Sequence, residues 1–414
     1  MKNKILSNDN FIFWFILADI FLLPYFNIVV IPISYFLIIW WALNNRITIK
    51  NDSYFKEIAI CISFMCISTV LGCFLYSEYG VIGDDIKRLI QYIITFQYVF
   101  FFKDYFRKHK PNLKPILWAF VIFVVLMAIL FQISPNLYST VCSFWNKGNA
   151  YVSTSFEENI RFGYTLRYSF IWTDPNNIAY ALTSVIMFML CCFDTDWGEI
   201  IMLFCANVYV LVNSMSSGGW VSFIISWFLF TIYHIFFRKK SKHSLRYIKK
   251  SSLIRTLIVL AIILMVFEMG YFSELFNSAF VQSAVDRFKN NENTRTEIWM
   301  RILSEESILW HLLVGKGSSL IINGVQRATH SGHLYWIYAY GFISYFIMMK
   351  QTFWLGIRKI WRYIPIVGIF LCFTMNTMVG EQKLFLISIM IISYLREEFY
   401  DERYDQLDST GLQC

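Results

Sequence analysis

Long apolar runs separated by short polar stretches set the pattern of this chain. A helix needs about 20 mostly apolar residues to cross a lipid bilayer, because each residue adds only about 1.5 Å. The pattern predicts about twelve spans of this kind, and therefore an all-α integral membrane protein. The predicted spans are 11–24, 26–43, 57–77, 89–106, 115–133, 175–193, 199–213, 220–237, 254–272, 333–350, 364–377 and 384–396.

Basic residues mark one side of the predicted membrane protein. They cluster at 46–56, 103–114, 238–255 and 350–362, which are alternate connections between the spans. Because cytoplasmic loops carry an excess of Lys and Arg, both termini are predicted to lie in the cytoplasm. Two exceptions are mild: Lys87 and Arg88 fall outside, and the turn 194–199 has no positive charge.

Two connections on the predicted external side are long, at 134–174 and 273–332. Long loops held by a rigid scaffold often carry function. Within the second loop, 296–313 repeats apolar residues at helical spacing, and Thr294 and Glu297 have the spacing of a capping box. We therefore expect an amphipathic helix at the membrane surface there.

Composition supports lipid as the main solvent of the chain. Hydrophobic residues make up 57% of the 414 residues and charged residues only 15%, against about 25% in a typical soluble domain. The net charge of +8 is spread over the connecting segments, so it does not indicate a nucleic-acid-binding face. No spacing of Cys and His suggests a metal site, and no cofactor is predicted.

Four short motifs follow one another between residues 170 and 350. Residues 174–179 read DPNNIA, 295–299 read RTEIW, 313–317 read LVGKG, and His330 precedes Gly341 by eleven residues. Together with the two long loops, they resemble the Wzy-type O-antigen polymerase and O-antigen ligase superfamily. Two positions depart from that pattern: 215–219 lacks the arginine of a Ser-Arg-Gly sequence, and Ser331 replaces an asparagine.

The resemblance implies a glycosyltransferase-C-like membrane fold in a bacterial inner membrane, with its active side in the periplasm. Such a polymerase transfers the growing glycan from undecaprenyl pyrophosphate to the non-reducing end of a lipid-linked repeat unit. Its partners would be that lipid-linked oligosaccharide, the bilayer, and the chain-length regulator and flippase of the same pathway. Two alternatives stay open: a ligase that moves the glycan to lipid A core, and a flippase for lipid-linked oligosaccharides.

The resemblance also assigns roles to residues. Arg295 would stabilise charge on the leaving pyrophosphate, since arginine is a permanently charged, bidentate donor. His330 would be the general base for the acceptor hydroxyl, and no metal would be required. Further candidates for substrate binding are Arg161, Arg167, His333, Asp174, Asn176, Arg301 and Arg327.

Several of these residues also have a structural interpretation. Asp174 and Pro175 are typical of the N-cap and first position of a helix, with the positive end of that helix on the outer side. His333 would share a helical face with His330 if their helix begins early enough. Among charges in or near spans, Asp19 lies mid-span and Glu268 near an outer end, and Glu381 is expected to pair with Lys383.

Overall fold

A computed structural model of the chain is mostly helical. It describes residues 2–26, 31–145, 167–170, 172, 174–236, 300, 302, 304, 312–319, 321–322, 325–326, 331–355, 361–375 and 382–410. Two short antiparallel hairpins occur in this part, β1 (Tyr25–Phe26) with β2 (Ile31–Pro32), and β3 (Ile321–Ile322) with β4 (Val325–Gln326). The helices are α1 (Lys2–Phe21), α2 (Tyr35–Asn44), α3 (Arg46–Lys50), α4 (Phe55–Leu75), α5 (Ile82–Lys108), α6 (Lys114–Ile133), α7 (Pro135–Trp145), α8 (Pro175–Cys192), α9 (Trp197–Ser214), α10 (Ser217–Phe236), α11 (Gly332–Thr352), α12 (Ile364–Met375) and α13 (Gln382–Thr410).

Five helices of the described part are long and apolar enough to cross a membrane: α4, α6, α8, α9 and α10. Their outer surfaces remain apolar, with Phe74 on α4 79% exposed and Ile133 on α6 78% exposed. In water such side chains would be unfavourable, whereas lipid solvates them. The protein is therefore an all-α protein embedded in a membrane.

Helix α8 is the centre of the bundle. Of its most apolar window, 78% is buried, against 28–39% for the other four long helices. It packs against α9, α10 and α12. Small residues permit this approach: a Cβ added to Gly368 of α12 would lie 2.5 Å from the Ser184 hydroxyl of α8.

The structure differs from the predicted spans most clearly at 26–43. The hairpin of β1 and β2 occupies the start of this run, and α2 then has only ten residues. Such a helix is about 15 Å long, half of a bilayer core of about 30 Å. Pro24 precedes the hairpin and Pro32 is the last residue of β2, and the two prolines explain why helix does not continue through this stretch. The predicted span 254–272 lies outside the described residues.

Contacts between helix ends define two ends of the bundle. At one end α8, α10 and α11 begin and α9 and α12 finish, as the bonds from Ser216 to Asn176 and from His333 to Thr374 require. We call this the site end. At the opposite end, which we call the basic end, the start of α4 meets the finish of α11 through Glu57 and Lys350, 2.6 Å apart.

The basic end is a set of paired charges and capped carbonyls. Lys103 donates to both carboxylate oxygens of Asp52 at 2.8 Å. Arg396 donates to the main-chain oxygens of Gln351 and Trp354, where α11 finishes. The turn 194–199 is an exception in the predicted charge pattern, because it has no basic residue of its own. Lys114 of α6 lies next to it, with its ammonium 2.7 Å from the Glu199 carboxylate.

Candidate functional site

Asp174 and Pro175 start α8 as the sequence predicts. The Asp174 side chain accepts a hydrogen bond of 2.8 Å from the main-chain nitrogen of Asn176, and Pro175 takes the first helical position. This cap directs the N-terminal end of the central helix toward the site end. The prediction of the helix start is confirmed.

Arg167, Asn176 and Ser216 form one polar cluster at the site end. The Arg167 guanidinium donates to the main-chain oxygens of Ser214 (3.1 Å) and Met215 (3.2 Å) and to the Asn176 side-chain oxygen (3.4 Å). That same Asn176 oxygen accepts 2.6 Å from the Ser216 hydroxyl. Two predicted substrate-binding residues are thus brought together with the turn between α9 and α10.

The turn 215–219 fits tightly against α8. Met215 adopts a left-handed conformation with φ of 49°, and the Ser216 hydroxyl accepts from the nitrogen of Gly219 at 2.8 Å. A Cβ at Gly218 would overlap the Tyr180 hydroxyl, and one at Gly219 would lie 2.5 Å from Ala179. Both glycines are therefore needed for the close approach of α10 to α8.

His333 lies in the first turn of α11 and faces α12. Its Nδ1 is 2.9 Å from the Tyr345 hydroxyl and its Nε2 is 3.1 Å from the Thr374 hydroxyl, so both ring nitrogens are engaged within the protein. Because Ser331 is extended and α11 begins at Gly332, the condition for a helical face shared with His330 is not met. These contacts favour a packing role for His333.

The LVGKG motif lies against a break in α11. Gly341 has φ of 81° inside this helix, which interrupts its hydrogen bonds. The nitrogens of Lys316 and Gly317 donate instead to the oxygens of Tyr338 and Ala339, at 3.1 Å each. On the other side, a Cβ at Gly72 of α4 would lie 2.5 Å from the Lys316 oxygen. Residues 315–317 of the motif are thus an irregular segment buried between helices, as irregular backbone within a membrane must be, whereas Leu313 is 55% exposed.

Asp85 is the residue of this region that the sequence analysis missed. It lies in the first turn of α5, is 0% exposed, and its Oδ1 accepts from the hydroxyls of Ser318 and Ser319 at 2.6 Å each. From the sequence alone, Asp85 is indistinguishable from an ordinary acidic residue at a helix N-terminus. Its serine partners lie more than 230 positions away, and no local signal connects them.

A second buried aspartate at the site end has a cation beside it and accepts one main-chain hydrogen bond. Asp19, also 0% exposed, lies 3.2 Å from the Lys383 ammonium and accepts 2.6 Å from the nitrogen of Ser34. Lys383 further donates to the main-chain oxygens of Asp19 and Leu23, both at 2.6 Å. The Lys383 ammonium thus joins the start of α13 to Asp19 of α1, and its expected partner Glu381 lies outside the described residues.

The remaining candidates lie outside the described residues. They include both predicted catalytic residues and three of the substrate-binding candidates: Arg295, His330, Arg161, Arg301 and Arg327. Glu268, Glu381 and nearly all of the predicted amphipathic helix 296–313 fall there too. The first predicted loop, 134–174, begins with helix α7, and its residues 146–166 are likewise outside.

Comparison with known proteins identifies no relative. No protein-family profile, no curated protein and no solved structure matches the chain. Among the residues that the structure describes, no group of three or more His, Cys, Asp or Glu side chains could hold a metal ion.

Proposed function

We propose that this protein is a membrane glycosyltransferase that polymerises a surface polysaccharide of the O-antigen type. It would transfer the growing glycan from undecaprenyl pyrophosphate to the non-reducing end of a lipid-linked repeat unit. The proposal includes about twelve spans in a glycosyltransferase-C-like arrangement. It also places both termini in the cytoplasm of a bacterium and the site end in the periplasm.

The observation that carries the proposal is the meeting of Arg167, Asn176 and the turn 215–219 at the start of α8. The segment 313–319 and the start of α11, which bound the described end of the second long loop, lie at the same end of the bundle. The described ends of both long loops therefore lie at the end of the bundle where α8 begins and where Arg167 lies, and a helix N-terminus with an arginine is a combination suited to a pyrophosphate.

Arg167 addresses one departure from the family pattern. The turn 215–219 lacks the arginine of a Ser-Arg-Gly sequence, yet the Arg167 guanidinium bonds to the Met215 oxygen in this turn. The positive charge of Arg167, a residue of the first predicted long loop, thus lies beside this turn. This contact supports a role for Arg167 in setting the charge of the donor site.

In the proposed reaction, the bond between the anomeric carbon and the pyrophosphate breaks as the acceptor hydroxyl attacks that carbon. Arg295 would stabilise the charge that develops on the pyrophosphate, and His330 would take the proton of the hydroxyl. Arginine can supply this stabilisation without a metal ion. The ligase alternative shares the donor and both residues.

A flippase is the second candidate, favoured by two specific observations. The break in α11 at Gly341 and the fully buried Asp19, Lys383 and Asp85 are features typical of transporters. A lipid-linked oligosaccharide would then cross the bilayer without being extended. Assays of polymerisation and of transport separate these candidates.

The test is polymerisation in reconstituted vesicles supplied with a lipid-linked repeat unit alone. Wild type should build a ladder of products on undecaprenyl pyrophosphate. Arg295→Ala and His330→Ala should each lower the rate by roughly 100-fold or more. Arg167→Ala should lower it less, by roughly tenfold, because the Arg167 guanidinium already donates to three oxygens of the protein and would act on the pyrophosphate mainly through its charge.

The matched control for Arg167 is Arg107→Ala, which removes an arginine from the basic end, where Arg107 is 57% exposed and 3.7 Å from Glu397. It should leave the ladder unchanged at equal membrane insertion. Transfer of preformed glycan to lipid A core without any ladder would identify the ligase. Movement of the repeat unit across the bilayer without a ladder would identify the flippase.

A further inference from the structure

The Asp85 carboxylate is a buried charge without a balancing partner in contact. It is 0% exposed, and it forms no ion pair with any residue in the described part of the chain. Its Oδ1 accepts from two serines, whereas Oδ2 has no hydrogen-bond partner among those same residues. Gly317 lies against Oδ2 so closely that an added Cβ would be 2.6 Å from it.

Such an arrangement is costly unless the charge has a use. Burial of an uncompensated carboxylate is unfavourable, and a partner cation offsets part of that cost. The hydrogen bonds to Ser318 and Ser319 do not need the charge, since the oxygen of an asparagine side chain could accept both. No cationic side chain of the described residues contacts this carboxylate, so a bound cation is one way to balance its charge.

The groups around Asp85 are those that small hard cations prefer. The two serine hydroxyls keep lone pairs after donating to Oδ1, and hydroxyl and carboxylate oxygens are ligands of small hard cations. Both serines belong to an irregular segment that lies beside the broken α11. Unwound segments of this kind hold monovalent ions in transporters. A divalent ion usually has more than one carboxylate ligand, and here there is one.

We propose that Asp85, Ser318 and Ser319 form a binding site for a small monovalent cation of the sodium type. The ion would join the start of α5 to the segment 313–319 and to the broken α11. It would thereby fix the segment that leads from the second long loop toward His330. The site is independent of the reaction proposed above, because either an enzyme or a transporter can use such an ion.

Lys316 provides the main rival explanation. Lys316 is 1% exposed, and its ammonium lies 4.3 Å from the centre of the Tyr338 ring and 5.6 Å from that of Tyr76. It forms no ion pair with Asp85, but at longer range it could balance the carboxylate. In that case no added cation would be needed.

The experiment measures the unfolding temperature of the purified full-length protein in NaCl, KCl and choline chloride at equal ionic strength. Wild type should show a saturable rise in NaCl over choline chloride, of about 3 °C at tenfold excess over the dissociation constant. Asp85→Asn should abolish the rise. The double variant Ser318→Ala with Ser319→Ala should weaken sodium binding at least severalfold. It replaces Asp85→Asn as the test if Asp85→Asn fails to fold.

Asp19→Asn is the matched control, because Asp19 is equally buried but already has Lys383 beside it. It should lower the unfolding temperature in every salt and keep the rise in NaCl. The proposal is overturned if wild type unfolds at the same temperature in all three salts, or if Asp85→Asn responds as wild type does. A response that appears only in Lys316→Gln would assign the balancing charge to Lys316 and also overturn it.

Discussion

Asp19 and Asp85 are both fully buried aspartates at the site end, and their surroundings differ. Asp19 has the Lys383 ammonium on one oxygen and the Ser34 main-chain nitrogen on the other. Asp85 has two hydroxyls on one oxygen and no hydrogen-bond partner for the other within the described residues. Asp19 therefore forms an ion pair that joins α1 to α13, whereas Asp85 forms no ion pair with a described residue.

The difference indicates where the fold is stabilised and where it keeps a capacity to bind. A residue whose local preferences agree with the overall fold usually stabilises that fold. A residue that conflicts with it, such as a buried charge without a partner, is often functional. Around Asp19 the partners come from regular helix ends. Around Asp85 they come from an irregular segment with glycines at positive φ, Gly315 and Gly317. Variants that break either arrangement test this distinction.

Lys383→Met should have the largest effect. It removes the ammonium from Asp19 and from two main-chain oxygens, and it leaves a buried carboxylate uncompensated. Loss of one partner of a buried pair typically costs about 3–5 kcal/mol. We expect a strong loss of folded protein, measured by thermal unfolding and by yield in membranes.

The double variant Lys383→Met with Asp19→Leu is the control for that effect. If the uncompensated charge causes the loss, removal of both charges should recover a large part of the stability. A double variant as unstable as the single one would show that the lysine acts mainly by capping α1.

Gly341→Ala should have the second-largest effect on stability, and it disturbs the segment 313–319 that contacts Asp85. At φ of 81° an alanine is strained, and its Cβ would overlap the Leu313 oxygen. We expect a cost of roughly 2–3 kcal/mol and displacement of the segment 313–319. Thermal unfolding measures the cost, and Gly83→Ala is the control, since a Cβ there meets nothing within 4 Å. Equal costs for both variants would contradict the explanation.

Much of the helical framework can be predicted from the sequence. Helices α4, α6, α8 and α9 have 18 to 21 mostly apolar residues each, and hydropathy and length alone predict them. Asp174 and Pro175 fix the start of α8 because the capping signal is local. The prediction failed at 26–43, where hydropathy sums the apolar residues and ignores Pro24 and Pro32.

The contacts of the candidate site likewise include some that the sequence predicts and some that it does not. Arg167 and Asn176 are close along the chain, so their meeting follows from the start of α8. The contact of Asp85 with Ser318 and Ser319 joins distant segments through the break in α11, and no periodicity encodes it. Gly315, Gly317 and Gly341 stand out in the sequence only as a motif, and their packing becomes evident in three dimensions.

Ser318→Ala should have a moderate effect. Its hydroxyl donates to a charged, buried oxygen at 2.6 Å, and hydrogen bonds to charged groups contribute about 1.5–3 kcal/mol. We expect a cost near the lower value, because Ser319 continues to donate to the same oxygen. In the control Ser63→Ala, the lost hydroxyl bonds only to the Ala59 oxygen of its own exposed helix face, and thermal unfolding should barely change.

Asp85→Asn should have the smallest effect on stability, and it distinguishes Asp85 from Asp19 most directly. In choline chloride it removes an uncompensated charge and keeps an acceptor for both serines, so its unfolding temperature should equal or exceed that of wild type by up to about 2 °C. Asp19→Asn makes the same chemical change but leaves Lys383 without its carboxylate, so it should lower that temperature. If the two variants instead destabilise equally in choline chloride, Asp85 has a balancing charge after all, and the two aspartates are equivalent structural residues.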